Sequence, residues 1–337
     1  MVLLHEWMVN RGELGAAEGL GMSLRACCPL SRGAEAFVEA HLQRVRLLRA
    51  QSRWNEAVKS ASALAKLCDA RGMAPQYARV LLELSRARLG AEPLSPVGAL
   101  PYALRCLAVC DSYSLDAIHA TAMTHLAEVH LRLGSTRRAR ILLRACLGHL
   151  LSNASVQTQA EAWLAMAKCD ITEFSLSAEK TRDADSTFRA DNAGGAGESE
   201  GREGEEGEGK AGEGQRERQW GGDGDSVAVG QGGKAELLHR SAEYLDKAIV
   251  LFKRCHDFAG LRECWCLKAR VCGELVEQGG PLENEARQAR DESAEAFLAV
   301  LEAGARALAS TPPGLKIGPE EIKRYVARAT SDVPWQR

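Results

Sequence analysis

The chain has 337 residues, a formal net charge of −2, 45% hydrophobic and only 5% aromatic residues. A near-neutral balance supplies no global field for nucleic acid or an anionic membrane, and an Ala- and Leu-dominated, aromatic-poor composition suits helix–helix packing better than a sheet. No apolar run reaches the roughly 18 residues of a membrane span, and the N-terminus, MVLLHEWMVN, carries His and Glu where a secretory signal would be apolar.

In chain order, residues 1–28 read as a hairpin: helix Val2–Asn10, a turn at Arg11-Gly12-Glu13, and a second helix running to Cys28, with Pro29 after it. The abrupt start, without a polar capping unit, is expected of a chain missing earlier repeats. Ala34–Ala50 and Trp54–Ala70 form the next hairpin, with Trp54 at the turn and Gly72 past its end. Gln76–Leu89 is a further helix, AEPLSPVG (91–98) an enlarged Pro-rich loop, and Pro101–Ser112 a helix with Pro in its tolerated first turn.

Leu115–Leu151 shows the repeating unit most clearly. Ala122, Leu126, Val129 and Leu133 fall on one face of a 3.6-residue period, Gly134 is placed to end that helix, and Ala139, Leu142, Leu143, Cys146 and Leu150 repeat the pattern. A Gly or Ser five residues before an Ala recurs as Gly12/Ala17, Ser52/Ala57, Gly98/Ala103 and Gly134/Ala139. Leu126, Ala127, Gly134, Ala139 and Leu143 have the spacing of a tetratricopeptide repeat, although the intervals between units mostly exceed its roughly 34 residues. Such a hairpin cannot bury both faces alone and implies neighbours of its own kind.

Val156–Phe174 follows with Trp163, Met166 and Ala167. From 179 to 234 the chain becomes Gly- and Glu-rich, which predicts a disordered insertion; Trp220 is the one residue in it with a candidate binding role. SAEYLDKAI resumes the pattern with Leu245 and Ala248 at packing positions, so the insertion splits one hairpin. Ala259–Glu277 and Leu282–Glu302 make a last hairpin, and the Pro-rich tail, 304–337, holds at most a helix at Glu320–Ala329. The expected fold is all-α: a right-handed α-solenoid of tetratricopeptide-like hairpins over 1–178 and 235–303.

No phosphate-binding loop, dinucleotide fingerprint or HExxH motif is present. Cys106/Cys110, Cys264/Cys266 and Cys255-His256 invite a zinc reading, but sit at helical apolar positions without a converging second pair, as core thiols do. No enzyme activity, cofactor, metal, nucleic acid, membrane or small-molecule substrate is expected; the odd count of eleven cysteines fits a reduced, soluble intracellular protein. Aligning the repeats places Arg46, Lys168 and Arg270 at one position of the groove-facing helices, with Arg49 and Arg132 beside them: a candidate basic groove. Glu6 and Glu128 take the same position in two other repeats. Arg137, Arg138, Arg140 and Arg144 fall on an outward-facing helix, as solvated surface or a subunit contact.

The stretch PYALRCLAVCDSYSLDAIHATAMTHLAEVHLRLGSTRRARILL, followed in order by AEAWLAMAKCDI, LLHRSAEYLDKAIVLFKRC and ECWCLKARVCGEL, resembles the C-terminal repeats of the subunit-five family of the anaphase-promoting complex, or cyclosome. The resemblance covers roughly 76–174 and 236–303, lacks the family's N-terminal domain and earlier repeats, and rests on packing residues without a catalytic motif. It implies a non-catalytic scaffold in a multi-subunit ubiquitin ligase controlling mitotic exit, contacting subunits one, four and fifteen, in nucleus and cytoplasm. The alternative is an adaptor for a chaperone or another multiprotein complex. The carboxylate clamp of chaperone adaptors has no counterpart here, because Val2, Glu6, Leu42 and Arg46 stand at its positions.

Overall fold

The computed structural model describes residues 1–30, 33–91, 96–193, 231–279 and 282–309. Among these residues the protein is all-α, with no strand. Its twelve α-helices are α1 Val2–Asn10, α2 Leu14–Cys27, α3 Ala34–Ala50, α4 Trp54–Ala70, α5 Ala74–Ala91, α6 Leu100–Tyr113, α7 Asp116–Arg132, α8 Thr136–Asn153, α9 Val156–Ala193, α10 Gln231–Cys255, α11 Phe258–Gln278 and α12 Glu283–Ala309. Each helix packs on the next in sequence, including α9 on α10 across the Gly/Glu-rich segment.

The hairpins share one hydrogen-bonded turn. At the end of α1, Gly12 N–H donates to Val9 O and Glu13 N–H to Met8 O. The same pair of bonds recurs at Ser52-Arg53, Gly72-Met73, Gly134-Ser135 and His256-Asp257. This is a Schellman closure, in which the residue after the helix enters the left-handed region and two otherwise unpaired carbonyls are satisfied. Gly12, Gly72 and Gly134 have φ of 75°, 66° and 73°; Ser52 and His256 hold the same region at 58° and 55°. Gly98 differs: it lies in a 3-10 turn, Pro96–Ala99, where the Pro-rich loop was expected, and its neighbours 92–95 lie outside the described residues.

Below each turn a small residue lets the two backbones approach. Ala17, Ala57, Ala103, Ala127, Ala139 and Ala248 are fully buried, and Leu126, Leu143 and Leu245 pack around them in the core. The cores are continuous along the array: one cluster joins α3 to α7, a second α7 to α9, and a third α9 to α12. Odd-numbered helices touch one another (α1 with α3, α3 with α5, α5 with α7, α7 with α9, α9 with α11), whereas no two even-numbered helices share a comparable interface. A layer that crowds while its partner layer splays bends the stack, and the odd helices form the concave side.

Helix α9 continues past residue 178, where the composition changes, to Ala193, and α10 begins at Gln231 instead of 235. The rest of the Gly/Glu-rich stretch, with Trp220, and the tail from 310, with the expected helix at Glu320–Ala329, lie outside the described residues. No helix among the described residues is long and apolar enough to cross a membrane.

Candidate functional site

The concave side encloses a groove of about 1300 Å³ lined mainly by α1, α3, α5, α7, α9 and α11, with Trp54 of α4, Phe252 of α10 and Phe297 and Leu301 of α12 at its edges. Its floor is charged because the odd helices repeat one surface position. Glu6, Arg46, Arg86, Glu128 and Lys168 follow one another at intervals of 40, 40, 42 and 40 residues and all line it.

The hub is Glu83, on the turn of α5 beside Arg86 and only 2% exposed. Three guanidiniums surround its carboxylate: Arg49 Nη1 in direct contact, and Arg46 Nε and Arg86 Nη1 each at 3.4 Å. Arg46 reaches on to Glu6 at 3.1 Å, and Arg86 to Glu161 on α9 at 3.0 Å. Burial acts to raise the Glu83 carboxyl, but Arg49, Arg86 and Arg46 outweigh it and hold the group well below the usual carboxylate range. Under the hub, Ser85 Oγ donates to Ala99 O at 2.8 Å, so His125 Nε2, 2.9 Å away, is the donor to Ser85. Burial, helped by Arg86, lowers His125 to about 3, leaving a neutral imidazole.

Farther along, Lys168 Nζ lies 2.7 Å from Glu263 Oε1 on α11. Burial works against the ammonium, yet Glu128 and Glu263 raise its pKa. Arg132 bonds Leu89 O at 3.4 Å and Glu128 at 3.5 Å. Toward the C-terminal end the lining turns apolar through Phe252, Leu267, Phe297 and Leu301.

The structure therefore brings Arg46, Arg49, Arg132 and Lys168 into one groove and leaves Arg270 out. Arg270 is exposed on α11 and does not line the groove. The four that gather do not form a free basic row, because each faces a carboxylate on its own or a neighbouring helix. The groove is a mixed-charge ladder, and reversing Arg46 would set a carboxylate against the buried Glu83. Sequence reasoning missed Glu83, Arg86, Glu161 and Glu263. The interval of about 40 residues pointed to Arg86, which follows Ser85 where the next two repeats carry the buried Ala127 and Ala167.

The groove is closed on one side by the ends of the array. Asn10 Nδ2 donates to Gln157 Oε1 at 3.5 Å, Gln157 Nε2 donates to Asp257 Oδ2 at 3.4 Å, and the Arg11 guanidinium sits 5.7 Å from the Phe258 ring centre. Asp257 also caps α11, accepting from Gly260 N–H at 2.9 Å, and burial raises its carboxyl to about 6.

Of the cysteines singled out in the sequence, three are buried and one is exposed. Cys106, Cys110 and Cys264 are buried, Cys106 Sγ donates to Ala78 O at 3.2 Å, and burial pushes the Cys264 thiol up to about 12; Cys266 is exposed. No group of three His, Cys, Asp or Glu side chains among the described residues is arranged to hold a metal ion. Neither a protein-family model nor a curated protein matches the chain.

Proposed function

We propose that this protein is a non-catalytic scaffold whose repeats bind other chains, with a segment of a partner lying along the concave groove. The observation that carries the reading is the groove itself: about 1300 Å³, built from one repeated position of the odd-numbered helices and lined by both carboxylates and cations. Its polar centre and apolar C-terminal end suit an extended peptide that carries both charges and ends in an apolar anchor. In its finer form the fold is a right-handed, tetratricopeptide-like solenoid in which the Gly/Glu-rich stretch is an inserted loop. Its sequence resemblance supports a place in the platform of the anaphase-promoting complex, in the manner of subunit five.

The test is co-purification of the tagged full chain from dividing cells. Recovery of subunits one, four and fifteen supports the cyclosome scaffold. Recovery of a chaperone in their place supports the adaptor reading, and a chain that recovers no partner overturns both.

A further inference from the structure

The outward face of α8 carries a second surface, separate from the groove. Residues 137, 138, 141, 144, 145 and 148 are all exposed and fall within about 60° of one direction on a helix turning 100° per residue. Ile141 stands at the centre of that face, 58% exposed. Arg138 and Arg144 flank it, Arg137 lies above, and Ala145 and Gly148 form a low shelf below.

Several features set this face apart from ordinary wet surface. Arg140, on the same helix, is turned inward and bonded to Asp170 and Glu173. Arg137, Arg138 and Arg144 make no ion pair among the described residues. The first turn of α8 holds no acidic side chain, and Ser135 does not cap it through its hydroxyl. Arg137 and Arg138, in that turn, therefore add to the positive end of the helix dipole instead of offsetting it. Gly148 has no internal reason to be glycine: a Cβ there would meet nothing within 4 Å. A mid-helix glycine is unfavourable relative to alanine, and its packing use is to let another backbone come close.

We infer that this face docks an acidic amphipathic helix of a partner protein, whose apolar stripe covers Ile141 and rests on the Ala145–Gly148 shelf while its carboxylates meet Arg137, Arg138 and Arg144. Charge complementarity selects the occupant: three unpaired cations around one exposed branched side chain match an acidic helix with an apolar seam and repel a basic one. The inference is independent of what the groove holds.

The probe is a fluorescein-labelled synthetic Glu-rich helix with a single leucine stripe, titrated against the full chain by anisotropy. Wild-type chain is expected to bind it, and to bind a leucine-free helix of equal charge at least about fivefold more weakly. The combined reversal Arg137→Glu, Arg138→Glu, Arg144→Glu and the single change Ile141→Asp should each weaken binding at least about tenfold. Gly148→Gln should weaken it similarly while raising the melting temperature, a combination that misfolding cannot produce. Lys66→Glu, exposed on α4 and outside both the groove and this face, should bind the probe as wild type does. Unchanged binding by the reversed chain, equal binding of the leucine-free helix, or failure of the wild type to bind would overturn the inference. So would binding of a peptide of residues 194–210 in the probe's place, or a dimer in the ultracentrifuge that the triple reversal dissolves; the occupant would then be the chain's own acidic stretch or a second copy.

Discussion

Replacing Glu83 by glutamine keeps the shape of the groove hub and removes its charge. The carboxylate is buried with three guanidiniums around it, while those guanidiniums retain 26%, 23% and 18% of their side-chain surface for Arg49, Arg46 and Arg86. Breaking a fully buried ion pair by deleting one partner costs about 3–5 kcal/mol, but water reaching the arginines reduces that, and about 2–3 kcal/mol is expected for Glu83→Gln. Urea unfolding near neutral pH measures it, and a double-mutant cycle with Arg49→Ala should return a coupling of about 1–2 kcal/mol. The pH dependence has a fixed sign. Because the folded-state carboxyl is depressed, its contribution is complete above the unfolded value of about 4.3 and is lost as pH falls below it through the folded value. The advantage of wild type over Glu83→Gln should therefore be constant from neutral pH to about 5 and shrink in acid. Superimposable unfolding curves for the two proteins at neutral pH, or a gap that widens in acid, would refute the reasoning.

Asp257 has the opposite sign. Burial raises it to about 6, so its favourable contribution is present below about 3.9 and is lost as pH rises through the folded value; Asp257→Asn keeps an acceptor for Gly260 N–H and should stabilise the chain at neutral pH by about 1–3 kcal/mol, with the gain vanishing below about pH 4 in urea titrations. Gly260→Ala would place a methyl 2.5 Å from the buried Phe252 ring and is expected to cost about 1–3 kcal/mol by thermal melting, most of it recovered in a Phe252→Leu background. Ala139→Leu puts a large side chain where α7 and α8 meet; a loss of about 1–3 kcal/mol is expected, and an unchanged melting curve would mean that the position is not a tight contact.

The helical hairpins were legible because two local signals coincide. Gly12, Ser52 and Gly134 take positive φ at turns, and the Ala five residues after each is fully buried, so backbone freedom and close packing were written at a fixed spacing. Gly98 satisfied the same spacing for another reason, since Ala103 is buried while Gly98 belongs to a 3-10 turn. Neighbouring helix register was therefore readable, and Arg46, Arg49, Arg132 and Lys168 do share a groove. Their electrostatic state was not readable. Glu83 meets Arg49 from 34 residues away and Arg86 meets Glu161 from 75, and such partners depend on how far successive hairpins rotate. Arg270 fails for that reason: the register carried over from α9 does not aim it at the groove.

The contacts of Asn10 and Arg11 with Gln157 and Phe258 alter how the array responds to damage. In an open stack, each unit is informed only by the units on either side, and a fault in the middle isolates the two halves from one another. Here the first turn leans on the ninth and eleventh helices, so a disturbance has two routes around the molecule. Fraying of α1 would loosen α9 and α11 through these contacts as well as α3 and the Glu83 hub through Glu6 and Arg46, and a fault at α5 would still leave α1 tied to α9 and α11. The chain is wired as a circuit, and its weakest link is a handful of polar side chains at one rim of the groove.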